Sequence, residues 1–546
     1  MHTSIARIVR VTVVATMAAV GSLAAQQSPS PSVSSQDILN GLKDPSSWLT
    51  YSGDYSGQRH SPLKQITPQN VHRLTPQWTF QSEQAGRGLQ TTPLLVDGIL
   101  YVTGMDNYAW AIDARTGRTI WRYRRELPPP PVTNCCGPNN KGFGVLGDRL
   151  FMTTLDAHLV ALNMKTGRVI WDAVVEDYRN GYSGTAAPLV VKDKVIVGVA
   201  GGDIGVRGFL DAYDAQSGKR VWRFYTVPAP GEPGGETWPA GDAYQRGGAT
   251  TWVTGSYDPE LNLVFWGTGN PGPQLYGADR KGDNLYSDSL LALDADTGQR
   301  RWHYQFTPHD THDWDSIHTP VLADLEINGQ PRKVVMVANR NGFFYTLDRS
   351  TGKLLVAKRF VQTSWAKEIG PNGRPIVLNE TGSSDCLPDQ LGATNFMPSS
   401  FDPALKLSFV TARESCSTWT YWKPEYARGE GYRGGASKKV GAIYSALRAI
   451  DPTTGERRWE FRYTPSRPEG GLGLAGGVMS TASGLVFAGD ADGNFSAFDA
   501  RTGKNLWHYQ AGGSVRATAI TYMLDGRQYV LIPSGTILTA FALPGT

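Results

Sequence analysis

The chain has 546 residues, of which 19% are charged and 62 are glycine. A formal net charge of +4 on that length supplies no basic surface of the kind a nucleic-acid partner requires. Sixteen Trp and 23 Tyr supply a large core, and a repeat architecture could carry the whole length as one domain.

Residues 1–25 start basic (Arg7, Arg10), run apolar from Val11 to Val20, and end on small residues at Ser22, Ala24 and Ala25. This is the pattern of a signal peptide cut near residue 25, and the run is short for a membrane span. No later segment approaches ~20 apolar residues, so the mature chain is expected to have no transmembrane segment. Export implies an oxidising compartment in which disulfides persist. Residues 26–46 are rich in Ser, Pro and Gln and read as a flexible lead-in, leaving 47–546 as the folded domain.

One pattern then recurs: small-apolar-Asp-x-x-Thr-Gly-x-x-x-Trp. It appears as AIDARTGRTIW, ALNMKTGRVIW, AYDAQSGKRVW, ALDADTGQRRW, TLDRSTGKLLV, AIDPTTGERRW and AFDARTGKNLW, ending at 121, 171, 222, 302, 356, 459 and 507. The spacings are 50, 51, 80, 54, 103 and 48 residues. Each copy reads as strand, tight turn, strand, with Gly supplying the positive φ of the turn. Hairpin signals such as LLVDGILYV and YDPELNLVFWG lie between copies. The period predicts an all-β, eight-bladed β-propeller with tryptophan-docking repeats. Seven copies are visible, and the eighth unit is expected in the 103-residue gap. The strand near TILTAFAL (536–543) is expected to pair with the segment around Trp78 and close the ring. The repeat residues themselves are structural.

Cys135 and Cys136 are neighbours in TNCCGPNNKG. Adjacent Cα atoms lie ~3.8 Å apart, closer than the ~4.4–6.8 Å of an ordinary disulfide. From the residues alone, two thiols in a loop and a strained bond between neighbours both stand.

Set beside the repeat, the motifs CCGPNNKG, GGDIGVRGF, GGATTWVTGSYDP, GTGNPGP, HDTHDWD, NRNGFFYTLDR and GATNF resemble the quinoprotein alcohol dehydrogenases. These propellers bind pyrroloquinoline quinone (PQQ) and a metal ion, and the likeness is greatest to the single-domain periplasmic methanol/ethanol dehydrogenase type. The resemblance implies disulfides Cys135–Cys136 and Cys386–Cys416, the first packing on one face of PQQ with Trp252 on the other. It implies metal ligation of one Ca²⁺ or lanthanide ion by Asp203, Asn270 and Asp313. Asp315 matches an added carboxylate of lanthanide-using members. Asp313 matches the catalytic base, and Arg340 the arginine at the quinone carbonyl. Gln90, Lys141, Thr185, Gly201, Gly202, Thr251 and Asn395 are further cofactor-binding candidates.

Some positions depart from the family pattern. Asp203 stands for the usual Glu, Lys141 for an Arg, Gln90 for a Glu, and GLAGGVMST lacks a Trp. His309 and His312 read as loop residues and not as zinc ligands. The implied reaction is oxidation of a small alcohol by hydride transfer to PQQ, with electrons passed to a c-type cytochrome. The chain carries no C-x-x-C-H haem motif of its own. A homodimer is compatible with this reading. Two alternatives remain open: a PQQ-dependent sugar or polyol dehydrogenase, and a non-catalytic propeller scaffold of the cell envelope.

Overall fold

The computed structural model describes residues 1–2, 32–84, 88–129, 132, 135–378, 387–463 and 473–545. The signal-peptide segment falls almost entirely outside them. Within the unit spanning Pro31–Thr546, the described residues form seven four-stranded sheets, one five-stranded sheet and a small two-stranded ribbon. In the sheet of Leu94–Val96, Ile99–Thr103, Tyr108–Asp113 and Thr119–Arg124, each strand pairs antiparallel with the next. The inner strands are apolar and buried, while the fourth strand alternates between buried and exposed positions.

The repeat motif is the joint between neighbouring sheets. Asp113 Oδ1 accepts hydrogen bonds from the backbone N–H groups of Arg115 and Thr116 and from the Thr116 hydroxyl, which folds the turn. The following glycine, Gly117, has φ +73°. A Cβ there would lie 2.6 Å from the indole of Trp78, which comes from another sheet. That indole donates its N–H to Ala114 O at 3.0 Å. The same arrangement recurs as Trp121 on Gly167, Trp171 on Gly218, Trp222 on Gly298, Trp302 on Gly352 and Trp459 on Gly503. Each indole N–H finds a backbone carbonyl in the adjoining turn. Glycine is therefore required twice, for its φ and for its missing side chain. Where the fifth copy has Val356 in place of Trp, Val356 and the stem of Lys358 cover Gly455.

Thr75–Gln81 pairs antiparallel with Ile537–Ala542, with Trp78 opposite Ala540. The expected strand pairing is thus present, and it corrects the expected place of the remaining sheet. The 103-residue gap holds the ribbon Ala366–Ile369/Pro375–Val377 and an extended hairpin, Leu407–Tyr421 with Gly435–Ile450. The further sheet is instead assembled from Ile520–Leu524, Arg527–Ser534 and Ile537–Ala542, with Thr75–Gln81 as its outer strand. Its motif escapes detection because the docking Trp78 and the strands it completes lie at opposite ends of the chain.

Part of the expected loose lead-in is ordered. Ser34 caps a helix at Ser35–Asn40 through a reciprocal bond with Asp37, Ile38 is buried, and Val33 bridges to Gly147. No helix among the described residues is long and apolar enough to cross a membrane.

Candidate active site

A cavity of about 310 Å³ opens where the sheets converge. Its walls come from the segments that precede the first strands: Gln90, Cys135 to Lys141, Thr185, Trp252, Asp313, Asn395, Leu474 and Arg516. The turns between second and third strands add Asp203, Asn270 and Arg340. In an up-and-down sheet both kinds of connection lie at the same end. The tryptophan-docked turns lie at the other, so the structural repeat and the chemistry are spatially separated.

Nearly all the residues singled out in the sequence meet here. Asp313 and Asp315, two residues apart, both reach the cavity. Arg340 ties them together. Its Nη2 lies 3.0 Å from Asp315 Oδ2, its Nη1 donates to the carbonyl oxygen of Asp313 at 2.7 Å, and its Nη2 also reaches Asn395 Oδ1 at 3.2 Å. Asp315 Oδ1 accepts the backbone N–H of Asn270 at 2.8 Å. The Asn270 amide nitrogen donates to Pro271 O at 3.0 Å, which fixes the orientation of its amide.

Asp203 sits on the short turn Gly202–Ile204. Gly201 (φ +117°) has no room for a side chain, since a Cβ would stand 2.2 Å from Gly181 O. The Cys135 and Cys136 sulfurs and an Asp203 carboxylate oxygen lie within 4.8 Å of one another. Lys141 Nζ is 5.0 Å from the Trp252 ring centroid and 5.4 Å from that of Phe396.

Thr251 does not line the cavity. It is fully buried, accepts the Val199 N–H at 3.0 Å and donates to Phe209 O at 2.6 Å, joining neighbouring strands. Its neighbour Thr250 faces the cavity instead. His309 and His312 are loop residues, His309 bonding Gly282 O and His312 stacking on Trp314. Sequence reasoning missed Gln274, Gln390 and Arg433, which also line the cavity. The first two stand four residues after Asn270 and five before Asn395, a local hint; Arg433 lies on the extended hairpin and carries none.

The electrostatics are those of a site built for an added cation. Burial, then Asp315 and Asp203, push the Asp313 carboxyl well above its usual range, and Arg340 only partly opposes them. Burial also raises Asp315, against the pull of Arg340 and the Asn270 N–H. Arg340 is buried too, yet Asp315 and Asp313 hold its guanidinium above the ordinary value. Burial lowers Lys141 to about 8, with the neighbouring cysteines opposing. Asp203, Asn270, Asp313 and Asp315 offer oxygen donors, the kind a hard cation takes, from the wall of one cavity. The Trp252 face, with Lys141 and Arg340 beside it, suits a flat, carboxylate-bearing ring.

Comparison with known proteins agrees with this chemistry. Residues 48–368 and 444–530 match the model of the PQQ glucose/ethanol/alcohol dehydrogenase β-propeller domain. This chain belongs to that family. The quinoprotein is 37% identical over 537 residues to quinoprotein alcohol dehydrogenase PedH of Pseudomonas putida, covering 92% of this chain and 88% of PedH. It is 34% identical to a lanthanide-dependent methanol dehydrogenase of Methylacidiphilum fumariolicum, covering 91% of this chain and 86% of that one. Among solved structures it superposes on a europium-containing methanol dehydrogenase with TM-score 0.85 at 32% identity, covering 93% of this chain and all of that one. The quinohemoprotein alcohol dehydrogenase ADHIIG of Pseudomonas putida gives TM-score 0.87 at 35% identity, over 95% of this chain and 83% of that chain. The fold is therefore a β-propeller, and the protein is a PQQ-dependent oxidoreductase acting on alcohols.

Proposed function

We propose that this quinoprotein oxidises small alcohols to aldehydes or ketones in the periplasm and passes the electrons to a c-type cytochrome. The observation that carries the reading is the Arg340–Asp313–Asp315 cluster on a cavity beside Trp252. The bound quinone supplies the hydride-accepting centre. Asp313 takes the hydroxyl proton of the substrate as general base. Arg340 orients Asp313 through its carbonyl and offers positive charge where oxygen becomes anionic. Asp203, Asn270, Asp313 and Asp315 hold the ion, with the added charge of Asp315 suiting a lanthanide over Ca²⁺. Lys141, Arg340, Asn395, Gln90 and Thr185 would hold the cofactor, with Trp252 and a Cys135–Cys136 disulfide beside it. Cys386 lies outside the described residues, and its pairing with Cys416 belongs to the same proposal, as do the cleaved signal peptide, a homodimer and eight blades in one closed ring.

A second reading, oxidation of sugars or polyols, is favoured by the polar wall of Gln274, Gln390 and Arg433. Both are tested by product analysis after incubating the PQQ-loaded protein and an electron-accepting dye with primary alcohols, secondary alcohols and polyols. Aldehyde from primary alcohols supports the first reading. Turnover confined to polyols supports the second, and carbonyl product from none would refute both.

A further inference from the structure

The general base assigned above sits at a demanding position. Asp313 is not glycine, yet its φ is +65°. A backbone of that kind persists where its surroundings over-determine it. Arg340 holds its carbonyl, and a glutamine holds its carboxylate. Gln390 Nε2 donates to Asp313 Oδ2 at 3.0 Å. Gln274 lines the same cavity.

Each glutamine is oriented from behind by a group that can only, or here does, donate. Ser437 Oγ donates to Gln390 Oε1 at 2.6 Å, and Arg433 Nε donates to Gln274 Oε1 at 2.9 Å. A donor at the oxygen end of an amide turns its NH₂ end the other way. The Gln390 NH₂ group therefore faces Asp313.

Ser437 and Arg433 lie on one feature, the extended hairpin of Leu407–Tyr421 and Gly435–Ile450 and the connecting tip at 422–434. The tip is fastened to other sheets. The Tyr432 N–H donates to Asp203 O at 2.6 Å and the Leu275 N–H to Arg433 O at 2.7 Å. Arg428 reaches Asn180 Oδ1 at 2.6 Å and Asp177 Oδ2 at 3.0 Å.

We propose that Gln390 is a positioning residue for the general base, and that the hairpin sets the orientation of Asp313 through Ser437. The proposal rests on Asp313 being the base. Gln390 occupies Oδ2, so the other oxygen, 3.8 Å from Arg340 Nη1, is the one left to take the substrate proton.

The test uses the holoenzyme with Gln390→Met, Ser437→Ala, the Ser437→Ala/Gln390→Met double variant, and Asp313→Asn as reference. PQQ and metal content and thermal unfolding are measured beside kcat and KM. A misplaced base costs up to ~100-fold in rate, so Gln390→Met should lose roughly 10- to 100-fold in kcat with KM and PQQ content unchanged. Ser437→Ala should lose less, and nothing further in the Gln390→Met background, because it acts through that amide. An active Asp313→Asn would overturn the base assignment itself. An inactive Asp313→Asn with Gln390→Met within twofold of the parent in kcat would overturn the positioning role alone. Additive losses in the double variant, or loss of PQQ in step with kcat, would also overturn it.

Discussion

Gly218→Ala is expected to weaken the ring at one joint by an amount the geometry sets. At φ +69° an alanine incurs about 1–2 kcal/mol for the left-handed backbone. Its Cβ would also fall 2.8, 2.9 and 3.2 Å from three ring atoms of Trp171, so the indole must move by most of an ångström. That movement breaks the 3.2 Å bond from Trp171 Nε1 to Ala215 O. Arg149 Nη1 still donates to Ala215 O at 3.1 Å, so the added cost, about 1–3 kcal/mol, is that of displacing a packed indole. Gly526→Ala is the matched control, with φ +77° and nothing within 4 Å of the added Cβ. The contact is thus the difference between the two variants, about 2 kcal/mol, or roughly 30-fold in an unfolding constant. Unfolding in urea, followed by tryptophan fluorescence, reads that difference directly. Equal losses in the two variants would refute the claim that indole–glycine contacts join the sheets.

Other outcomes follow from the same structure. Arg413 and Asp389 form a fully buried bidentate pair behind the loop that carries Gln390 and Asn395. Arg413→Met strands the carboxylate and should cost about 3–5 kcal/mol in urea unfolding and loosen PQQ binding. Burial, with Arg300 beside it, lowers His303 to about 4 from its ordinary 6.5. Between those values the unfolded chain binds more protons, so stability falls as pH drops, at no more than about 1.4 kcal/mol per unit. His303→Phe should flatten that slope in unfolding measured from pH 6.5 to 4.5. Lys141 is lowered to about 8 by burial, so PQQ uptake by the apoprotein should weaken above that pH, and Lys141→Arg should restore it. Finally, alkylation of the unreduced, denatured protein should modify none of its four cysteines if both proposed disulfides form.

Much of this was legible in the sequence because the repeat is local. Asp, Thr, Gly and Trp fall within eleven residues, and their roles are fixed by one turn and one neighbour. The closing sheet was half hidden, because Trp78 completes strands that lie more than 440 residues away. The 103-residue gap misled for the opposite reason: its length is spent on a ribbon and an extended hairpin rather than on another sheet. In the site, the motif residues were recoverable because each sits in a short loop tied to a strand end. Thr250 and Thr251 show the limit of that reading, since a one-residue change of side on an extended segment exchanges cavity for core. Gln274 with Arg433, and Gln390 with Ser437, gain their meaning from pairings between distant parts of the chain, which no local pattern records.

The most direct measurement is dye-linked alcohol oxidation by the purified protein loaded with PQQ, run in parallel with La³⁺, Ca²⁺ and no metal, with Asp313→Ala as the control. Turnover that requires PQQ and metal, is greater with La³⁺, and vanishes in Asp313→Ala is the expected result. A folded protein that binds no quinone and turns over no alcohol under any of the three conditions would contradict it.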